Sequence, residues 1–217
     1  MNLEQARFNM IEQQIRTWNV LDPAVLSLLA VVRREDFVPP AYRALAFFDC
    51  EVPLPEGQTM LAPKVEARLL QEAGVQRHER VLEIGAGSGF MAALLAHRAR
   101  SVVSLEVHAS LASMAAANLQ RASIANCKVR VQDGARGLPD DAPFDVIVLS
   151  GSVNSTPQPL LDQLAPGGRL ICIVGDEPVM RAVRVQRLAD SRFETRDLFD
   201  TVAPRLRGFD EPSRFQF

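Results

Sequence analysis

The spacing of apolar residues changes along the chain, and each change marks a different kind of element. Near the start, Leu3, Ala6, Met10, Ile11, Ile15 and Trp18 recur at helical spacing with Glu4, Arg7, Glu12, Gln13 and Arg16 between them, which predicts an amphipathic helix in need of a partner. Asp22 followed by Pro23 reads as an N-cap and first helical position, so AVLSLLAVV should form a second, well-buried helix ending near Arg33-Arg34-Glu35. Pro39, Pro40, Pro53, Pro55 and Pro63 then exclude a long helix between residues 37 and 63, leaving an irregular connector that carries the polar stretch EGQTMLAP. A third helix is expected from Pro63, carried by Val65, Ala67, Leu69 and Leu70.

From Val81 onward the pattern becomes one of short apolar runs separated by helical ones. VLEIGAGSGF is a buried strand that stops in a glycine-spaced turn, with a helix expected to open at Ser88. SVVSLEV, CKVRVQDG, APFDVIVLSG and RLICIVG follow as strands, with an alanine-rich helix over residues 108–123, a short helix over 157–164 and a turn at Pro166-Gly167-Gly168. This alternation predicts right-handed βαβ units and a parallel sheet. Two alternating runs, residues 180–188 and 193–202, are joined by a turn at Ala189-Asp190-Ser191 and close the sheet with an antiparallel hairpin. The expected fold class is α/β: a doubly wound, mostly parallel seven-stranded sheet with helices on both faces, that C-terminal hairpin and an N-terminal helical extension.

Composition narrows the function classes. With 217 residues, 47% of them hydrophobic, the chain can fill one sizeable core, read as a single compact unit in which residues 1–75 form the extension and connector and 76–217 the core. A net charge of -2, with no basic block longer than Arg33-Arg34, argues against nucleic acid as partner. Charges interrupt the N-terminal stretch where a signal peptide needs an apolar run, and no segment is long and apolar enough to span a membrane, so a soluble, cytoplasmic protein is expected. Cys50, Cys127 and Cys172 are odd in number, far apart and outside metal-ligand spacing, which fits a reducing compartment. His78, His97 and His108 do not pair at ligand spacing either, and no metal is expected. The sequence does not fix an oligomeric state.

In doubly wound sheets a ligand binds where the strand order reverses. That places Gly85, Ala86, Gly87, Ser88 and Gly89 beside Glu106 and Val107 at the end of the second strand, and beside Asp133 and Gly134 after the third. Glu106 is placed to accept both hydroxyls of a ribose, or is a solvated strand-end glutamate. Asp133 could accept from an adenine amine, or is an ordinary turn aspartate. Phe90 stands where a dinucleotide motif would have its last glycine, and Glu83 disfavours a diphosphate while suiting a cationic group such as an α-amine. S-adenosylmethionine combines that amine with a ribose, an adenine and a sulfonium.

VLEIGAGSGF, Glu106, QDG at residues 132–134 and LAPGGRL together resemble the class I S-adenosylmethionine-dependent methyltransferases, whose core is Rossmann-like. More narrowly, MIEQQIRTWNVLDPAVLSLLAVVRREDFVPPAYRALAF, GQTMLAP and FDVIVLSG resemble the protein-L-isoaspartate O-methyltransferase family, over nearly the whole chain. The resemblance implies methyl transfer to the free carboxylate of isoaspartyl residues in damaged peptides and proteins, a repair step. Such a carboxylate is ionised at neutral pH, so placement and water exclusion matter more than a general base. Gln58 and Thr59 are the groups expected to hold the acceptor or close over the cofactor, although Thr59 could instead cap the helix from Pro63. Ser150 and Ser152 are further candidates, and their segment LSGSVN lacks the paired-proline-plus-aromatic pattern of enzymes that methylate bases. Leu61 stands where the family has a serine, the segment before it is a residue shorter, and the last strand reads FDTVAPRL. These departures leave open a diverged cofactor-binding protein, or a transferase acting on another carboxylate or small molecule.

Overall fold

A computed structural model describes residues 2–189 and 192–210. Its centre is a seven-stranded sheet of β3 (Arg80–Ile84), β4 (Ser101–Glu106), β5 (Cys127–Val131), β6 (Phe144–Val153), β7 (Leu164–Asp176), β8 (Val179–Arg187) and β9 (Phe193–Asp200); the labels β1 and β2 belong to a small hairpin, Val52–Pro53 and Thr59–Met60, in the connector. The order across the sheet is β5-β4-β3-β6-β7-β8-β9. The strands from β5 to β7 run parallel, whereas β8 and β9 form the antiparallel finish that the alternating runs predicted. Because β3 pairs with both β4 and β6, the chain reverses direction across the sheet at the carboxyl end of β3.

The period-two alternation of the strands sorts side chains into two cores. Val81, Val102, Val146, Val148, Ile171 and Ile173 point to one face, under helices α1 (Leu3–Met10), α2 (Pro23–Val31), α3 (Pro63–Ala73), α4 (Phe90–Arg98) and α5 (Ala109–Arg121). Leu82, Ile84, Leu105, Ile147, Leu149, Leu170 and Cys172 point to the other, where the short helix α6 (Gln158–Leu161) and Leu138 give thinner cover. Asp22 caps α2 by accepting from Ala24 N at 2.8 Å, and Pro63 opens α3, as their positions predicted. Trp18 packs edge-on against Phe199 of β9, 5.8 Å between ring centres, which ties the extension to the end of the sheet. No helix among the described residues is long and apolar enough to cross a membrane. Burial pushes the thiols of Cys127 and Cys172 up to about 12, so both stay protonated.

Four expectations need correction. The first helix does not keep one winding to Trp18: it widens to a π-helical stretch at Ile11–Ile15 and tightens to a 3-10 turn at Arg16–Trp18, and the wide winding brings Met10 and Ile15 onto the same buried side. Helix α4 opens at Phe90 rather than Ser88, because Gly89 sits in the left-handed region at φ 83°. Pro166-Gly167-Gly168 is not a turn between elements but lies within β7, whose pairing with β6 jumps from Phe144↔Leu164 to Val146↔Arg169. The extra residues bulge out where Gly167 takes φ 78°. The connector is less irregular than its prolines suggested: a 3-10 helix spans Pro40–Phe47, and GQTMLAP supplies β2 of the small hairpin. Asp190 and Ser191 of the expected hairpin turn lie outside the described residues.

Candidate active site

Two adjoining cavities open at the carboxyl ends of β3, β4 and β6. The outer one is lined by Gln58, Thr59, Gly85, Gly87, Glu106, Val107, Gln132, Gly134, Ser150, Leu206 and Arg207, among others. The inner one shares Thr59, Gly85, Gly87 and Ser150 with it and adds Leu54, Leu61, Glu66, Glu83, Ala86, Ser88 and Phe90.

The glycine turn is pinned from one side. Gly85 N and Ala86 N both donate to Leu105 O, at 2.9 and 3.1 Å, so the turn is stitched to the end of β4 by main chain. Glu106 completes the stitch, its Oε2 accepting from Gly87 N at 2.9 Å and its Oε1 from His108 N at 3.0 Å. An ionised carboxylate has about four acceptor positions, so each oxygen keeps one for a ligand. At Gly85, φ is 91° and a Cβ would lie 2.8 Å from Leu206 Cδ2, so backbone approaches the cavity there as no other residue would allow.

Inside, Glu83 is fully buried and held by two hydroxyls, Ser104 Oγ at 2.6 Å and Ser150 Oγ at 2.8 Å. Burial pushes its carboxyl up to about 8, against the pull of those two hydroxyls. The folded protein therefore retains a proton that the unfolded chain has lost between pH 4.5 and about 8. Fewer protons bound in the unfolded state means stability falls as pH rises through that window. Glu83→Gln removes this penalty while keeping a polar group for the hydroxyls, so the melting temperature of the variant relative to the parent should climb from pH 5 to pH 8. Parallel melts with a constant difference would refute the assignment.

The structure gathers most of the sequence-predicted residues but gives some of them other work. Gly89 lines neither cavity: a Cβ there would sit 3.1–3.2 Å from the Ala115 backbone, so this glycine permits α4 to cross α5. Asp133 also lines neither, and its Oδ1 accepts from Ala135 N at 2.9 Å, as a turn aspartate does; Gln132 and Gly134 face the cavity. Ser88 is buried and lines the inner cavity while its carbonyl accepts from Asn118 Nδ2. Thr59 does not cap α3, whose N-cap Ala62 offers no side chain; its hydroxyl donates to Glu51 Oε2 at 3.0 Å. Gln58 Nε2 donates to Glu56 O at 3.3 Å. Ser152 is fully buried, its N donating to Pro204 O and its hydroxyl to Ala203 O, both at 2.8 Å, which removes it as a candidate for contact with substrate.

Those bonds disclose a cavity wall that the sequence did not point to, and they bear on Arg205, Arg207 and Arg214, the terminal arginines that on sequence grounds could meet an acidic peptide or be solvated. Residues 203–206 run beside the end of β6, Leu206 N donating to Ser152 O at 2.9 Å, and set Leu206 over Gly85 and Gly151 with Arg207 at the cavity rim. Arg205 bonds Asp176, and Arg214 lies outside the described residues. Behind the inner cavity, Arg34 is fully buried, pairs with Glu66 and donates to Leu61 O at 2.6 Å, with its guanidinium over the Phe90 ring.

Known proteins share this arrangement. The family model for protein-L-isoaspartate(D-aspartate) O-methyltransferase matches residues 5–202. A protein-L-isoaspartate O-methyltransferase of Syntrophobacter fumaroxidans is 41% identical over 186 residues, 86% of this chain and 87% of its own. One from Methylorubrum populi is 39% identical over 207 residues, 94% and 97% of the two chains. Among solved structures, a protein-L-isoaspartate O-methyltransferase of Plasmodium falciparum in complex with S-adenosyl-L-homocysteine superposes with a TM-score of 0.78 at 20% identity, covering 93% of this chain and 98% of that one. A second structure bearing the same enzyme name gives 0.79 at 24% identity, covering 95% and 66%. At those identities the two structures establish the shared fold.

Proposed function

The chain belongs to the protein-L-isoaspartate(D-aspartate) O-methyltransferase family, and on that footing we propose how its two cavities divide the work of an S-adenosylmethionine-dependent transfer to isoaspartyl carboxylates. The observation that carries the proposal is the pairing of a bare glycine backbone with the Glu106 carboxylate in one cavity. The main chain at Gly85 and Gly87, with Val107 and Gly134 as walls, suits a flat nucleoside, and the free acceptor positions of Glu106 suit its ribose hydroxyls. Ala86, Ser88, Glu83 and Ser150 then receive the amino-acid end. Gly89 and Asp133 act through the backbone they shape. Bound there, S-adenosylmethionine supplies an electrophilic methyl group.

The acceptor side consists of Gln58, Thr59 and Arg207, which share the outer cavity. An acceptor carboxylate arrives ionised, so these groups need only orient it and shed its water, with the Arg207 cation at the rim drawing it in. Residues 1–75 act in this reading as an extension that walls the acceptor side, and residues 76–217 as the transferase core. The client is a protein or peptide rather than a nucleic acid, and the setting is the cytoplasm.

Incubating the protein with methyl-labelled S-adenosylmethionine and an isoaspartyl peptide is expected to give base-labile label, and the matching aspartyl peptide none. Leu61 supports a second reading, a site that binds cofactor with its transfer to isoaspartate lapsed, because a leucine cannot hydrogen-bond an acceptor. Leu61→Ser should raise turnover on the isoaspartyl peptide by up to about tenfold, the worth of one hydrogen bond to a charged group. Unchanged turnover would mean the leucine does not limit transfer.

A further inference from the structure

A further cavity, of about 850 Å³, lies away from the glycine turn, between the end of α2, the 33–43 segment and the flank of α4 and α5. Its floor is apolar: Val32, Phe37, Val38 and Met114 line it, with Val31 at the edge 69% exposed. Exposed apolar surface inside a polar rim marks an interaction site. Here the rim is basic. Arg33, Arg43, Arg121 and His97 stand around it against one carboxylate, Asp36, which pairs with Arg43 at 3.1 Å. Arg121 donates to the Asp36 carbonyl at 3.3 Å and to the Asn118 side chain, and among the described residues neither Arg33 nor Arg121 has a carboxylate partner.

The groove has a fixed relation to the acceptor side. Pro55 lines the groove while Gln58 lines the outer cavity, so the turn between them is a ridge with a cavity on each flank. Leu54 N closes that turn by donating to Gln58 O at 2.8 Å, and Ser110 Oγ pins it to α5 by donating to Glu56 Oε1 at 2.6 Å. From the ridge the groove follows α5 from Met114 to Ala122, about 12 Å along the helix axis. About four residues of extended chain cover that length. We infer that the groove is a second binding site for the client: it takes an acidic segment bearing apolar side chains, from the same peptide or protein whose isoaspartyl carboxylate lies in the outer cavity, and so selects among clients. This rests on the isoaspartyl reading and adds where else the client is held. The carboxylates of the segment supply the partners that Arg33 and Arg121 lack, and its apolar side chains cover the floor that Val31 leaves open.

The test compares, on the full chain, isoaspartyl peptides extended on either side by Glu-Leu-Glu-Leu or by its uncharged counterpart Gln-Leu-Gln-Leu. An exposed ion pair is worth a factor of up to about five, so with two formed the acidic extension should lower KM about three- to tenfold on at least one side, leave kcat alone, and lose its advantage at high salt. Arg33→Glu, at an exposed position, should abolish or reverse that preference without changing transfer to an unextended isoaspartyl peptide. Equal KM for the two extensions, or a preference that Arg33→Glu leaves intact, would overturn the proposal. So would a parent dimer that the substitution dissociates, since the groove would then be a contact between copies. If no isoaspartyl peptide is labelled, the isoaspartyl reading fails, and anisotropy of fluorescein-labelled Glu-Leu-Glu-Leu tests the groove by itself. Saturable binding weakened about threefold or more by Arg33→Glu supports a site for acidic segments, and binding that is absent at millimolar peptide or indifferent to the substitution removes it.

Discussion

Glu106→Ala is expected to weaken S-adenosylhomocysteine by about two to four orders of magnitude while barely moving the melting temperature. The carboxylate has two tasks, and the substitution separates them. Its bonds to Gly87 N and His108 N hold the glycine turn against the start of α5, yet both bonds are only partly buried and the amides can turn to water, so the folded state loses on the order of 1 kcal/mol. Its remaining acceptor positions are the ones proposed for the ribose hydroxyls. Hydrogen bonds to a charged group contribute about 1.5–3 kcal/mol each, and losing two gives the stated drop. Glu106→Gln, with one acceptor oxygen left, should fall between the extremes. Calorimetry giving the alanine variant within threefold of the parent would dismiss Glu106 as the ribose partner.

Arg34→Met should have the largest effect on stability, about 3–5 kcal/mol. The guanidinium is fully buried, ion-paired to Glu66, hydrogen-bonded to Leu61 O at 2.6 Å and stacked on Phe90 at 5.1 Å. Methionine replaces the stem and none of those contacts. Burial already pushes the Glu66 carboxyl upward despite Arg34, so without the arginine Glu66 keeps a proton to higher pH and the deficit grows as the solution becomes more alkaline. For a chain of this length each kcal/mol corresponds to about 2–4 °C, which predicts a fall in melting temperature on the order of 10 °C. The double variant Arg34→Met with Glu66→Leu should recover most of it, since no buried charge is then left alone. Denaturant titrations placing the single variant within 1 kcal/mol of the parent would show that the pair contributes little.

Features decided by a few neighbouring residues could be read from the sequence. Asp22-Pro23 specifies a cap and a first turn, the apolar runs around Val81 and Ile147 specify strands buried on both faces, and the alternation after Met180 specifies a hairpin. Much of the site could be read for the same reason, because Gly85, Gly87 and Glu106 sit at the ends of strands whose order the βαβ pattern already implies. Features set by distant contacts could not. Gly89 looks identical to Gly87 until α5 is seen against it. Nothing local to Arg34 or Glu66 announces that folding buries them together. Ser152 and Ser150 differ by one turn of the pleat, and only the return of residues 203–206 decides that one is sealed and the other faces the cavity. Pro166-Gly167-Gly168 has turn chemistry and performs it as a bulge, because the pairing on either side is strong enough to carry the strand through.

The return of residues 203–206 along β6 also bears on how the protein matures. On a ribosome the glycine turn, Glu106 and Gly134 emerge early and can assemble a floor, but Leu206 arrives only after β9 has been made. A nascent chain would therefore present an open trough to its surroundings, and gain a ceiling only once residues 203–206 have followed β9.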